Sequence, residues 1–156
     1  MDLDTVEEYL NVSHETIKKL FNEHVCTYCG RPSNNRDHVV PRSFSDYNPD
    51  NTPTTKKNTV PSCSQCNGVL GSRPILNIGD RAQFLIEMYT KKFKDLLAMP
   101  HHSDDDINEL EGTLKKMMKN SMKQKKIVLD RMEHLDLITL LKPTIKDVQD
   151  IIKTNK

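Results

Sequence analysis

Cys26-Thr27-Tyr28-Cys29-Gly30, then Asp37-His38-Val39-Val40-Pro41, then Asn58-Thr59-Val60-Pro61-Ser62-Cys63-Ser64-Gln65-Cys66-Asn67 are the stretches whose reading decides the fold of this chain. A two-residue spacer lets both sulfurs of a Cys-x-x-Cys turn face one point, so the two pairs supply four thiolates to a single tetrahedral ion. Zinc is the expected occupant, although four cysteines are also compatible with an iron–sulfur cluster. A thioredoxin-like redox pair needs a βαβ context that neither pair has. The 33 residues between the pairs exceed the spacing of a simple zinc ribbon, so something is built between them.

Helical periodicity is missing from 26 to 73, and turn formers replace it: Gly30, Pro32, Ser33-Asn34-Asn35, Pro41, Pro49, Pro53 and Pro61. Asp37–Val40 and Thr59-Val60 read as short strands, with 45–57 an extended loop joining them. On the N-terminal side, Asp4 and Ser13 are N-cap residues for two short helices within 4–23. The apolar residues at 6, 10, 12, 17 and 20 also suit the reading half of a helix-turn-helix, but no third helix precedes Cys26, so packing against the cysteine segment is the expected role. On the C-terminal side, Ala82, Leu85, Ile86, Tyr89, Phe93, Leu96 and Leu97 mark one face of a helix ending near Met99-Pro100. Ser103 starts a further helix, its positive end complemented by Asp104, Asp105 and Asp106, which is expected to run to about His134. A last helix follows Pro143.

The chain has 156 residues, mean hydropathy −0.66 and no Trp, which means a polar protein with a modest core that calls for a staple. Residues 1–25, 26–73 and 74–156 read as an N-terminal helical hairpin, a metal-stapled core and a C-terminal helical extension. No run approaches the roughly 18 apolar residues of a membrane span, and the N-terminus has no secretory pattern. A cytoplasmic protein without a membrane partner is expected, and in that reducing compartment paired cysteines are metal ligands rather than disulfides. The net charge of +1 hides an uneven distribution: 26–73 is basic, and 115–126 holds six Lys and no acid. That Lys run reads first as a solvated helix face and second as a phosphate-tracking surface.

The conjunction of Asp37-His38-Val39-Val40-Pro41, Asn58-x-Val60 and Cys63-x-x-Cys66-Asn67, in that order, resembles the HNH endonuclease family over residues 26–73, of a type found in small phage and bacterial members. The resemblance implies an α+β chain, mostly helical, with a zinc-stapled ββα-metal core flanked by helices at both ends. It implies phosphodiester hydrolysis in DNA, with Cys26, Cys29, Cys63 and Cys66 on a structural zinc and Asp37 and Asn67 on a catalytic Mg²⁺ or Mn²⁺. His38 is then the general base, and Asn58 the residue whose amide ties the loop and orients that base.

These residue types suit the chemistry. An imidazole ordinarily titrates near neutral pH and can take a proton from water. Carboxylate and amide oxygens are the hard ligands that Mg²⁺ prefers. Arg36, Arg42, Lys56, Lys57 and Arg73 are the expected backbone contacts, Arg42 and Arg73 foremost. The Gly pair usual after Pro-x-Ser is replaced by Phe44-Ser45-Asp46, and the Lys often found after Cys-Asn is missing. Two rival readings stand beside this one. The first is a zinc-stabilised binding module without turnover. The second is a nuclease subunit of a phage or defence assembly, self-associating or docking through the C-terminal helices.

Overall fold

In the computed structural model the described residues are Asp4, Glu8, 13–41 and 58–156. The first predicted helix, apart from Asp4 and Glu8, and the loop 45–57 lie outside them. Among the described residues, α1 (His14–Leu20) leads to a hairpin of β1 (Asn35–His38) and β2 (Thr59–Ser62). Then come α2 (Ser64–Leu70), α3 (Ile78–Lys92), α4 (Lys94–Ala98), α5 (Asp104–Asn108), α6 (Gly112–Leu141) and α7 (Ile145–Thr154). The architecture is the expected one, mostly helical around a small ββα unit formed by β1, β2 and α2.

The strands are antiparallel, with Asn35 opposite Ser62, Asp37 opposite Val60 and His38 opposite Thr59. β1 starts two residues before the expected 37–40, and β2 contains the expected Thr59-Val60. Val39 and Val40 are buried beyond the end of β1, where the backbone is held by Val39 N donating to Asn58 O at 3.3 Å. Their apolar character reflects burial in the core, which strand and loop residues share.

Helix starts follow the capping residues. The Ser13 side chain accepts from Thr16 N, Ser103 forms a capping box with Asp106, and Thr144 forms one with Asp147. The predicted long elements differ in two places. The helix expected to reach Met99 is split at Phe93, whose φ of −105° and ψ of 20° leave the helical region between α3 and α4. The helix expected from Ser103 to His134 is two helices. The first stops at Asn108, and the second starts at Gly112, whose φ of 62° is left-handed, and runs on to Leu141. Periodicity in apolar residues continued across both breaks and concealed them.

One buried cluster joins these parts. Ile17 and Phe21 of α1, the cysteines, Val39, Val60 and Leu70 meet Ile78, Ala82, Leu85 and Tyr89 of α3, Leu135 and Ile138 of α6, and Val148, Ile151 and Ile152 of α7. Polar contacts reinforce it. Asn155 Nδ2 donates to the carbonyls of Lys18 and Phe21 at 2.6 and 2.9 Å, and Gln149 Nε2 to Thr59 O at 3.2 Å. No helix among the described residues is long and apolar enough to cross a membrane.

Candidate active site and metal centre

Each Cys-x-x-Cys pair is shaped by its own turn. In the first, Cys26 N donates to Arg31 O at 2.7 Å and Gly30 N to Cys26 O at 3.0 Å, with Gly30 at φ 73° where an L side chain is strained. In the second, Cys63 is the N-cap of α2, its sulfur accepting from Cys66 N at 3.4 Å. Thr27 N bonds to Pro61 O at 2.9 Å and brings the two turns together. All four sulfurs lie within 4.8 Å of one another and all four residues are buried; Cys29 Sγ and Cys63 Sγ are 3.7 Å apart.

That spacing is what four thiolates about 2.3 Å from one tetrahedral ion require. A cluster with several irons interposed would hold the sulfurs farther apart, so the donors fit a single ion such as zinc. Four thiols this close cannot all ionise unless a cation sits among them. Hydrogen bonds from Cys26, Cys29 and Cys66 hold the Cys63 thiol well below its usual range, whereas those from Cys26, Cys29 and Cys63, with burial, push Cys66 well above it.

Tyr89 of α3 also belongs to this centre, its hydroxyl 3.0 Å from Cys66 Sγ. Burial, then the adjacent Cys66, pushes its phenol well above the ordinary value, and a metal-bound thiolate at Cys66 would accept from that hydroxyl. The sequence reading placed Tyr89 only on an apolar stripe. No local motif distinguishes a core tyrosine from one whose hydroxyl reaches a sulfur 23 residues away in the chain.

Beside the metal centre, Asp37, His38 and Asn67 line one pocket of about 340 Å³ together with Arg36, Pro41, Gly71 and Ser72. The ββα unit builds it: Asp37 and His38 end β1, and Asn67 follows the last cysteine directly on α2. Adjacent strand residues normally serve opposite faces, and here the pocket lies at the end of the strand, where the chain leaves it. Asn67 is half-buried, and His38 is half-buried with no hydrogen bond to its ring among the described residues. Asn58 is 4% exposed and donates from Nδ2 to Val40 O at 2.9 Å, tying β2 to the chain that continues from His38, while its Oδ1 has no partner among the described residues.

Asp37 is 1% exposed and engaged through both oxygens. Arg81 Nη2 of α3 donates to Oδ1 at 2.9 Å, and Tyr28 Oη donates to Oδ2 at 2.5 Å. Burial opposes the charge of Arg81, but the facing Tyr28 and Asp37 outweigh it and hold the guanidinium above its ordinary range. Removing either partner of such an enclosed pair leaves a bare charge, at a cost of about 3–5 kcal/mol. Arg81 escaped the sequence reading, yet a signal was present: it lies on the apolar stripe of Ile78, Ala82 and Leu85, where an unpaired Arg would be intolerable.

The expected nucleic-acid contacts are scattered. Arg36 donates from Nη1 to Glu23 Oε2 and from Nε to Thr59 Oγ1, both at 2.8 Å, so its guanidinium is committed to neighbours. Arg73 is exposed, its Nε bonded to Val69 O at 3.3 Å and its guanidinium 4.9 Å above the Phe84 ring, and it does not line the pocket. Arg42, Lys56 and Lys57 lie outside the described residues.

Compared with known proteins, residues 26–73 match the family model of the HNH endonucleases. The match covers the segment over which the motifs resemble that family, and it supports a nuclease-type function. No curated protein and no solved structure matches the chain.

Proposed function

We propose that the chain is a metal-dependent HNH-type endonuclease that hydrolyses phosphodiester bonds of DNA, with His38 as general base and one Mg²⁺ or Mn²⁺ held by Asp37 and Asn67. The observation that carries this reading is the meeting of Asp37, His38 and Asn67 in one pocket of a ββα unit whose sequence matches the HNH family. Asp37 and Asn67 suit the ion: one anionic and one neutral oxygen donor leave most coordination positions for water and phosphate oxygens. When bound, the ion supplies positive charge where negative charge develops on the phosphate and the leaving oxygen.

The chain's own residues do the rest. A ring nitrogen of His38, unoccupied by any described partner, accepts the proton of the attacking water as its oxygen approaches phosphorus in line with the leaving oxygen. The family resemblance implies a 5′-phosphate and a 3′-hydroxyl as products. Asn58 holds the carbonyl of Val40 and so fixes the turn that carries His38 into the pocket. Asn67 follows Cys66 on α2, and because Cys63 caps that helix, the cysteines that would hold the structural ion also fix the helix that presents Asn67.

The engagement of both Asp37 oxygens favours the second reading, a zinc-stabilised DNA- or protein-binding module without turnover. Supercoiled plasmid incubated with Mg²⁺, Mn²⁺ or EDTA separates the two. Cleavage is expected with either ion and not with EDTA. His38→Ala is expected to lose at least about 10²-fold of the rate, the lower range of general-base catalysis, while retaining zinc and DNA affinity. Cutting by His38→Ala at the wild-type rate would sink the nuclease assignment of this pocket.

A further inference from the structure

Among the described residues Asp37 is the only acid lining the pocket, yet its two closest partners come from outside the ββα hairpin. Tyr28 stands between the two cysteines of the first pair and is wholly enclosed. Arg81 belongs to the C-terminal helical extension and is also wholly enclosed. The Arg81 guanidinium is itself braced, Nη1 donating to Val39 O at 3.0 Å and to Ile75 O at 2.7 Å. It therefore holds the carboxylate of Asp37 and the backbone just beyond His38 with one rigid fork. Tyr28 holds the other oxygen from the side of the metal centre.

A carboxylate oxygen has two acceptor directions. One hydrogen bond to each oxygen leaves one direction on each, so Asp37 remains able to ligate an ion while its rotation is blocked. An apolar trio would fill the same space at lower desolvation cost, which makes stability a poor explanation for an enclosed Arg–Asp–Tyr set. Carboxylate ligands are commonly oriented in this way by outer partners, whose loss lowers metal affinity.

We infer that Arg81 and Tyr28 are positioning residues of the nuclease centre, fixing Asp37 in the orientation from which it binds the divalent ion. The helical extension and the cysteine centre are thus both parts of the catalytic apparatus. This rests on the reading of the pocket as a nuclease site, and goes beyond it in assigning residues on either side of the hairpin to metal binding.

The test uses the full-length zinc-loaded protein and Mn²⁺ as the probe. Tyr28→Phe keeps the ring and removes the hydrogen bond; Arg81→Lys keeps the charge and removes the fork. Mn²⁺ affinity is read by calorimetry, and the Mn²⁺ concentration for half-maximal plasmid cleavage is read separately. Each variant is expected to weaken Mn²⁺ binding about tenfold and to raise the half-maximal concentration in step, with zinc content unchanged. For Tyr28→Phe the melting temperature should also stay close to that of the wild type, which keeps the inference testable if Arg81→Lys fails to fold. A merely structural role would lower the melting temperature and leave the Mn²⁺ affinity of the folded fraction alone.

Affinity within twofold of wild type in Tyr28→Phe overturns the inference, and so does tighter binding, which would make these residues competitors for the carboxylate. A wild-type protein that binds Mn²⁺ but does not cut, with binding weakened in Tyr28→Phe, removes the nuclease reading and keeps the positioning role. A wild-type protein that binds no Mn²⁺ removes both.

Discussion

Gly30 shows how much a single residue of the first cysteine turn must satisfy. Its φ is 73°, and a Cβ there would come 2.7 Å from Cδ2 of His134, a side chain of α6. Gly30→Ala is therefore expected to cost about 1–3 kcal/mol, seen as a lowered midpoint in urea. Gly68, inside α2 with nothing within 4 Å of an added Cβ, is the contrast: Gly68→Ala should stabilise by up to about 1 kcal/mol. Equal effects of the two substitutions would contradict this account.

His134 itself predicts a pH dependence. Its Nδ1 lies 2.8 Å from the carbonyl of Tyr28, so Nδ1 carries the proton, and burial holds its pKa below the ordinary 6.5. The unfolded chain then binds the extra proton first, so the stability contributed by neutral His134 is complete above about pH 6.5 and is lost as pH falls below it. Melting temperature should drop between pH 7.5 and pH 5.5, and drop less in His134→Gln. An identical drop in the variant would assign the acid sensitivity to other groups.

At the scale of elements, α6 is two helices in function. Its second half carries Val128, Leu135, Ile138 and Leu141 into the core and lays His134 on the first cysteine turn. Its first half leaves Leu114 and Met117 more than half exposed and presents Lys119 and Lys123 to solvent. The Lys run 115–126 reads first as a solvated helix face, and Lys116, Lys119, Lys123 and Lys126 are exposed. Affinity for DNA should fall with rising salt as bound cations are released. If this half of α6 touches DNA, Lys119→Glu with Lys123→Glu should flatten the dependence of log Kd on log salt by about two charges' worth. An unchanged slope would assign the Lys run to solvent and leave the basic residues of 26–73 to carry the contact. α3 has a comparable double role, since one face supplies Ala82 and Leu85 to the core while Arg81 and Tyr89 reach Asp37 and Cys66.

For the whole molecule, the consequence is that the segment matching the HNH family does not close on its own. Its buried surface is completed by α1, α3, α6 and α7 within a single cluster. Residues 1–73 prepared alone are expected to remain unfolded by circular dichroism even with zinc supplied. A small metal-stapled unit draws much of its folding free energy from the ion, but here Asp37 would lose Arg81, the cation paired with it among the described residues. A folded, zinc-binding 1–73 fragment would show the extension to be an appendage.

The division between what was legible in the chain and what was not follows the range of the forces involved. The two Cys-x-x-Cys turns, the helix starts at Ser13 and Ser103 and a last helix after Pro143 were legible in the sequence itself, whereas the ββα unit and the roles of Asp37, His38, Asn58 and Asn67 were expectations drawn from the family resemblance. The turns and caps depend on residues a few positions apart, where cap geometry and turn closure restrict the backbone almost independently of context. Only the tertiary structure decided that α3 and α4 part at Phe93, that the helix begun at Ser103 stops before Gly112, and that Arg81 and Tyr89 leave their apolar stripe to meet Asp37 and Cys66. Apolar periodicity reports which face is buried and not what lies opposite, and an enclosed Arg or Tyr becomes favourable only when packing brings its partner within hydrogen-bond distance across tens of residues.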